Sequence, residues 1–396
     1  MPTVIILGGG IIALSTAYYA SLSSSEEIHI VESNSTFFEC ASGRAAGFLA
    51  RDWFSPSVAG LGELSFVLHQ RLAEEHDGAT SWGYSGSTGI STSQLGSKTR
   101  GEDWLFEGTT RAQAASSLAI QTADAGPAWL ASSASSGQAE IISNPNTTAQ
   151  VDPLRLCQFL LKQCIARGVV FHRPAKATRV KSDNGVLTGV YITESGTEKL
   201  VLCQKILIAC GVWSPIAFNE LFPSASISLL ITSLAGHSLI LRSPRWKPED
   251  IGDCHAIFTT SPDGWSPELF SRRGGELYLA GLNSSTIPIP NLASETIVQG
   301  DDIEVMIKTA RILLGDDVEV VKTGMCHRPV TSTGMPILGK IPPVHIGLED
   351  IDGPGGIYVA SGHGAWGISL SLGTGKVMAE MMAGDKTSID VSPLGP

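Results

Sequence analysis

The chain is 396 residues long, more than one hydrophobic core usually serves, so two domains are expected. Hydrophobic residues make up 43% and charged residues 16%, the balance of a soluble globular protein, and a net charge of −11 argues against nucleic-acid or anionic-membrane partners. Seven cysteines without a C-x-x-C pair point to reduced thiols in an intracellular setting, with the cytoplasm as the expected compartment, where the sequons at Asn146 and Asn283 would go unused.

The chain opens on VIILGGGIIALSTAYYA (4–20): four apolar residues read as a buried strand, Gly8, Gly9 and Gly10 as an unobstructed turn, and the Ala-rich stretch as a helix. Gly8, Gly10 and Ala13 fall on the G-x-G-x-x-A spacing. The first glycine allows the tight turn, the second lets the backbone approach a pyrophosphate, and the small third residue lets helix and strand pack closely. Unpaired amides at the helix N-terminus, beside Ile11 and Ile12, then face the phosphates. A second apolar run, IHIVE, ends at Glu32 and is followed by Ser33. A carboxylate there accepts from ribose hydroxyls and repels the extra phosphate of NADP, which favours NAD or FAD. The glycines and the lack of a basic lead exclude a signal peptide or a membrane span for this run.

From about 54 to 145 run Trp-, Gly- and Ser-rich stretches such as GYSGSTGISTSQLGS and ASSASSGQ, which read as loops and short elements over a site. VDPLRLCQFLLKQCIARGVVFH (151–172) reads as a proline-started helix with Leu156, Phe159, Leu160 and Cys164 on one face, stopped by Gly168 and running into a strand. KATRVKS, GVLTGVYIT and EKLVLCQKILIAC read as strands, with turns at Asp183-Asn184-Gly185 and Ser195-Gly196. Beyond about 225 a second β-rich part begins, with SLAGHSLILRS, CHAIFTTS and GELYLAGLNSS as strands and ETIVQGDDIEVMIKTARILLG as a helix. GIYVASG and HGAWGISLSLGTGKVMAEMMAG form a last strand-helix pair that returns to the first part. The two domains therefore interleave: 1–53, 146–225 and 322–396 make the cofactor domain, and 54–145 and 226–321 the substrate domain.

Three segments carry a family likeness: ASGRAAGFLARDW (41–53), ILIACGVWSP (206–215), and the tail HRPVTSTGMPILG with GGIYVASGHGAWGISLSLGTGKVMAEMM. In order and spacing they resemble the FAD-dependent D-amino-acid oxidase family, which includes glycine oxidase and sarcosine oxidase, with a fungal branch of oxidoreductases nearest. The resemblance implies an α/β fold in which a Rossmann-like FAD-binding domain of the glutathione-reductase type is interleaved with an antiparallel-sheet substrate domain. It implies FAD as cofactor, a small-molecule amine or amino acid as substrate and O2 as electron acceptor, with no nucleic acid and no membrane. No H-E-x-x-H or cysteine cluster suggests a metal, and GHGAW and GYSGS lack the strand-turn-helix context of a hydrolase elbow.

Each segment also has a reading of its own. Ala41, Ser42, Ala45, Ala46 and Gly47 are small enough to let the chain lie flat against pyrophosphate and flavin, while Ser42 and Arg44 offer a hydroxyl and a charge to the phosphates. The strand ILIAC ends in Cys210-Gly211, where the missing side chain permits close backbone approach to the cofactor; Trp213 beside it packs as core and not as a catalyst. Gly362, His363, Gly364, Ala365, Trp366, Gly367 and Ile368 precede a helix, so their amides would face the pyrimidine end of the flavin, where negative charge develops on reduction. The resemblance implies further roles: Ala177 at the adenine, His363 as the histidine of the flavin turn, and Arg328 as the holder of the substrate carboxylate. His363 has the alternative of a purely structural hydrogen bond. Cys326, two residues before Arg328, matches the cysteine that bonds covalently to flavin in sarcosine oxidase; packing is the preferred reading and a covalent bond the alternative. Where relatives place a second cation, this chain has Ala365 and Trp366, which points to a bulkier, secondary or aromatic substrate.

The function expected is oxidation of a C–N bond by hydride transfer from a neutral amine to FAD, with imine hydrolysis and hydrogen peroxide from O2. Alternatives are a flavin-dependent 2-hydroxy-acid dehydrogenase, and a flavin-bearing sorting or scaffold protein without turnover.

Overall fold

The computed structural model describes residues 3–23, 26–92, 121–123, 126–131, 139–247, 254–261 and 264–396. The ends of two stretches read above as loops, 93–97 and 132–138, lie outside the described residues. In chain order the elements begin with β1 (Thr3–Leu7), α1 (Ile11–Ser23), β2 (Glu27–Val31), α2 (Ala41–Arg44), β3 (Phe48–Ala50), α3 (Pro56–Glu75) and α4 (Gly78–Ser81). They continue with β4 (Ser85–Ser91), β5 (Gln121–Ala123), β6 (Ala139–Ile141), β7 (Thr148–Gln150), α5 (Pro153–Ala166), β8 (Val170–His172), β9 (Ala175–Asp183), β10 (Val186–Glu194), β11 (Thr197–Leu202) and β12 (Lys205–Ile208). The last set is α6 (Ser214–Leu221), β13 (Ile231–Arg242), β14 (Cys254–Phe258), β15 (Glu268–Ser271), β16 (Glu276–Ser284), α7 (Gly300–Leu314), β17 (Glu319–Thr331), β18 (Ile337–Lys340), β19 (Gly356–Ser361) and α8 (Ser371–Ala383).

The first layer is a sheet in the order β18-β19-β12-β1-β2-β8, parallel except for β18 at its edge. TVIIL and KILI are buried along their whole length because both faces of a parallel sheet are covered. Val4 and Ile6 of β1 face a core built with α1, α3, α5 and α8, while Ile5 and Leu7 face the other way, toward β9, β10 and α6. α8 crosses α1 at close range: a Cβ on Gly375 would stand 2.4 Å from the Ser15 backbone, so a larger residue would force the helices apart. The hairpin turns fall where Asn184-Gly185 and Ser195-Gly196 predicted them, each pair at positive φ.

The second layer is, among the described residues, a ten-stranded and mostly antiparallel sheet whose path runs β17-β13-β16-β15-β14-β4-β6-β5, with β3 and β7 joined beside β4. Its back packs on α7 through Leu239, Leu241, Leu277 and Leu279 against Met306, Ala310 and Leu313. Its front carries Ala256, Phe258, Phe270, Tyr278 and Ala280 toward Trp53 and the first layer. The α/β fold with a Rossmann-like layer and an interleaved antiparallel sheet is thus the one expected. β17, which straddles the expected boundary at residue 322, belongs whole to the large sheet.

Three element readings need correction. Residues 56–75, read as part of a loop-rich stretch, form the long helix α3; Val58, Leu61, Phe66, Leu68 and Leu72 give it a buried stripe that Gly60 and Gly62 dilute in the sequence. Gly62 is small because the Phe54 ring lies over it, 2.1 Å from a Cβ placed there. EKLVLCQKILIAC is two strands, β11 and β12, in different sheets. The helix after the Gly362 turn starts at Ser371, after a single 3-10 turn at Gly364–Trp366.

Candidate functional site

The glycine turn is built against the strand next to it. Gly8, at φ 97°, donates its N–H to Val31 O at 2.8 Å, and a Cβ there would stand 2.6 Å from Ala209 O, so glycine alone combines this conformation with this approach. The first helical amide, Ile11 N–H, donates to Ser42 Oγ at 2.9 Å. The Ser42 hydroxyl therefore caps α1 from a distant loop, with its own O–H left to donate. Just past β2, Glu32 accepts from Gly9 N–H at 2.7 Å through Oε2, and from the Asn34 N–H and Nδ2 at 2.8 Å through Oε1. These three bonds fix the carboxylate: Oε1 uses both of its lone pairs, and Oε2 keeps one for another donor.

Residues 41–47 lie between the layers, and the large sheet holds their carbonyls. Tyr278 donates its Oη–H to Arg44 O at 2.5 Å, Arg272 Nη2 donates to Ala45 O and Ala46 O at 2.8 and 3.0 Å, and Gln150 Nε2 donates to Ala46 O at 2.7 Å. Burial pushes the Tyr278 phenol up to about 12, so it stays a neutral donor. Arg44 reaches the Met325 carbonyl at 3.1 Å and pairs with Glu39 at 3.1 Å, so its charge is already balanced where it faces the interior.

At the far end, β17 brings Cys326, His327, Arg328 and Pro329 to one wall. The Arg328 Nη1 donates to Asn283 Oδ1 at 2.5 Å. Burial pushes the Cys326 thiol up, against the opposing pull of Arg328 and Arg44, which keeps sulfur protonated. Val330 forms a β-bridge with His363, tying the arginine strand to the turn before α8. His363 is buried with Nε2 3.1 Å from Thr374 Oγ1, and burial lowers its pKa to about 3. Its Nε2 thus has a side-chain partner, and burial favours the neutral imidazole. Trp366 N–H donates to the His363 carbonyl at 3.0 Å, so the amides of Gly364 and Ala365 have no partner within their own turn.

These elements converge on one cavity of about 460 Å³. Of the residues singled out in the sequence, Gly8, Gly10, Ile11, Ile12, Glu32, Ser33, Ser42, Arg44, Ala45, Ala46, Ala177, Cys210, Gly211, Trp213, Cys326, Arg328, His363, Gly364, Ala365, Gly367 and Ile368 line it. Gly47, Gly362 and Trp366 do not. Gly47 is small because a Cβ would strike Val151 O at 2.1 Å, and Gly362 because one would meet Thr331 Cγ2 at 2.7 Å. Trp366 turns instead into an aromatic cluster with Phe54, Trp53 and Phe48. A carboxylate after the second strand, a glycine turn feeding a helix N-terminus, and a wall of small residues leading to an amide turn together fit FAD.

The sequence matches a family model described as FAD dependent oxidoreductase over residues 3–381. The chain belongs to this family. A Schizosaccharomyces pombe protein named as an oxidoreductase is 27% identical over 429 aligned positions, covering 99% of this chain and 97% of the relative. The fold is shared with glycine oxidase from Geobacillus kaustophilus, at TM-score 0.74 and 21% identity over 99% of this chain and 97% of the other. It is shared too with L-amino acid deaminase from Proteus myxofaciens, at TM-score 0.74 and 14% identity over 100% and 92%. As a member of the FAD-dependent oxidoreductase family, the protein is an FAD enzyme. Among the described residues no helix is long and apolar enough to cross a membrane, and no cluster of His, Cys, Asp or Glu could hold a metal.

Several cavity residues of this family member escaped the sequence reading. Asn34, Tyr278 and Glu268 line the cavity, as do Asn291, Leu292 and Ala293 from the segment after β16. That segment folds back over the nucleotide end: Trp213 Nε1 donates to Pro290 O at 2.8 Å, and Ser294 N–H donates to Asn34 Oδ1 at 3.1 Å. Asn34 was findable, two residues past the acid. The others come from strands whose register no local pattern reveals.

Proposed function

We propose that this chain oxidises the C–N bond of an amino acid or another carboxylated amine. The observation that carries the reading is Arg328, a guanidinium in the cavity wall on the strand bridged to the Gly364–Trp366 turn. A planar fork takes both oxygens of a carboxylate and so holds the α-carbon in one orientation. Glu268 puts a carboxylate in the same cavity, which suits an amine better than a hydroxy acid. Burial keeps His327 and His363 below their ordinary pKa, so neither adds a cation to compete for the substrate's carboxylate.

The cofactor would rest with its ribose hydroxyls on Glu32, its phosphates on the amides of Gly10 and Ile12 and on the Ser42 hydroxyl that caps Ile11, its adenine near the Ala177 backbone and its ring system along Ala45 and Ala46. Bound there, FAD supplies the hydride acceptor, with O2 as the proposed final acceptor. The amides of Gly364 and Ala365 would stabilise negative charge developing at the ring's edge. Anaerobic titration of the yellow protein tests the reading. Bleaching by amino acids, and not by their descarboxy amines or by 2-hydroxy acids, is the expected result. Bleaching by hydroxy acids alone would replace it with a dehydrogenase, and a spectrum indifferent to all three classes would leave a flavin carrier without turnover.

A further inference from the structure

We propose that Gly236 and Asn283 are the positioning residues of Arg328: they seat its guanidinium flat on β13 and fix the rotation of its fork toward the cavity. The inference rests on the reading that Arg328 takes the substrate carboxylate. β13 lies between β17 and β16, and Gly236 is in register with Cys326 on one side and Asn283 on the other. Arg328, opposite Leu234, therefore extends along the same sheet face toward Gly236. A Cβ on Gly236 would stand 2.6 and 2.7 Å from the two terminal guanidinium nitrogens and 2.7 Å from Asn283 Oδ1.

Glycine weakens the interior of a strand and needs a reason there. At Gly236 the reason is not conformation, since its φ lies outside the left-handed region. It is the room the guanidinium occupies. The partner strand is shaped for the same end. The pairing of β13 with β16 slips between Gly236 and His237, and across the slip Gly281 and Leu282 adopt φ of 148° and 46°. His237, fully buried, meets this irregularity with Nδ1 3.4 Å from Leu282 O, while its Nε2 accepts from Gln299 N–H at 3.2 Å. The irregularity brings Asn283 Oδ1 to Arg328 Nη1. A guanidinium has five N–H donors in a rigid plane, so anchoring one nitrogen orients the rest.

The test compares Gly236→Ala, Asn283→Ala, Asn283→Gln and Arg328→Ala as holoenzymes, each checked for FAD content. Benzoate and its neutral isostere benzamide are titrated against the flavin absorption band, and kcat and KM are measured for a carboxylated amine and its descarboxy analogue. Gly236→Ala and Asn283→Ala are expected to weaken benzoate at least tenfold and to raise KM for the carboxylated amine, with benzamide and the descarboxy amine unaffected. Asn283→Gln keeps a neutral acceptor amide and is expected to retain more benzoate affinity than Asn283→Ala. If Arg328→Ala weakens benzoate while Gly236→Ala and Asn283→Ala do not, the seat is refuted and the arginine's role stands. If Arg328→Ala leaves benzoate unchanged, the carboxylate reading and the seat fall together. Should Gly236→Ala lose FAD, the two Asn283 variants decide the matter alone.

Discussion

Replacing Glu32 by alanine is the most informative perturbation of the cofactor end. The carboxylate accepts three N–H bonds at 2.7 to 2.8 Å, from Gly9 and from the backbone and side chain of Asn34, and it would accept ribose hydroxyls besides. Hydrogen bonds to a charged group are worth about 1.5–3 kcal/mol each. Loss of the ribose contacts, with a loosened glycine turn, is expected to weaken FAD by about 3 kcal/mol, roughly 100-fold in Kd. Glu32→Gln keeps one acceptor oxygen without the charge, and about a tenfold loss is expected. The assay is recovery of flavin fluorescence on serial dilution, with thermal melting of FAD-free protein run in parallel. Melting separates the two contributions, because the bonds to Gly9 and Asn34 stabilise the FAD-free protein as well. An alanine variant that retains FAD with unchanged Kd would refute the ribose assignment.

Arg328→Lys keeps the charge but loses the fork, and kcat/KM for a carboxylated amine is expected to fall by an amount within about 2–5 kcal/mol, while FAD content holds; equal kinetics would count against the clamp. Acid precipitation is expected to leave FAD in the supernatant with an unmodified Cys326 peptide, since burial holds that thiol protonated; a flavinylated peptide in the mass spectrum would overturn this. His69 and His363 are buried with pKa values lowered to about 4 and about 3. The unfolded chain binds these protons below pH 6.5 and the folded chain does not, so stability is complete above pH 6.5 and declines on acidification. Each imidazole contributes a slope of up to about 1.4 kcal/mol per pH unit. Urea midpoints at pH 7, 6 and 5 should fall in that order, and a flat series would contradict the burial argument.

Legibility in the sequence followed the range of the forces involved. The glycine turn, Glu32 and the proline-started helix α5 are each marked by residues a few positions apart, and those local patterns were sufficient although Ala209, Ser42 and Gly9 complete the contacts from afar. The Asn184-Gly185 and Ser195-Gly196 turns were legible for the same reason, because positive φ is a property of the residue itself. Arg328 and the turn at 362–368 were found through resemblance to a family. Asn283, Tyr278 and Arg272 were not found, for their roles depend on which strand of the large sheet lies beside which. Small residues proved the least specific signal. Gly47 and Gly362 are small for the sake of neighbouring chain, whereas Ala45 and Ala46 face the cavity, and composition alone cannot separate the two causes.

The segment after β16 gives the cofactor site a latch that the dinucleotide fold does not itself contain. Ser294 clasps Asn34, which in turn holds Glu32, and Pro290 is clasped by Trp213. Leu292 and Ala293 of this segment line the cavity, so an adenosine group held at Glu32 would have the segment as one of its walls. The residence time of the cofactor is then expected to follow the opening rate of a loop belonging to the opposite layer, and affinity and exchange rate become separately adjustable quantities. Asn34→Ala and Trp213→Phe, followed by the rate of FAD exchange against labelled FAD, measure that separation, and an exchange rate insensitive to both would remove the latch.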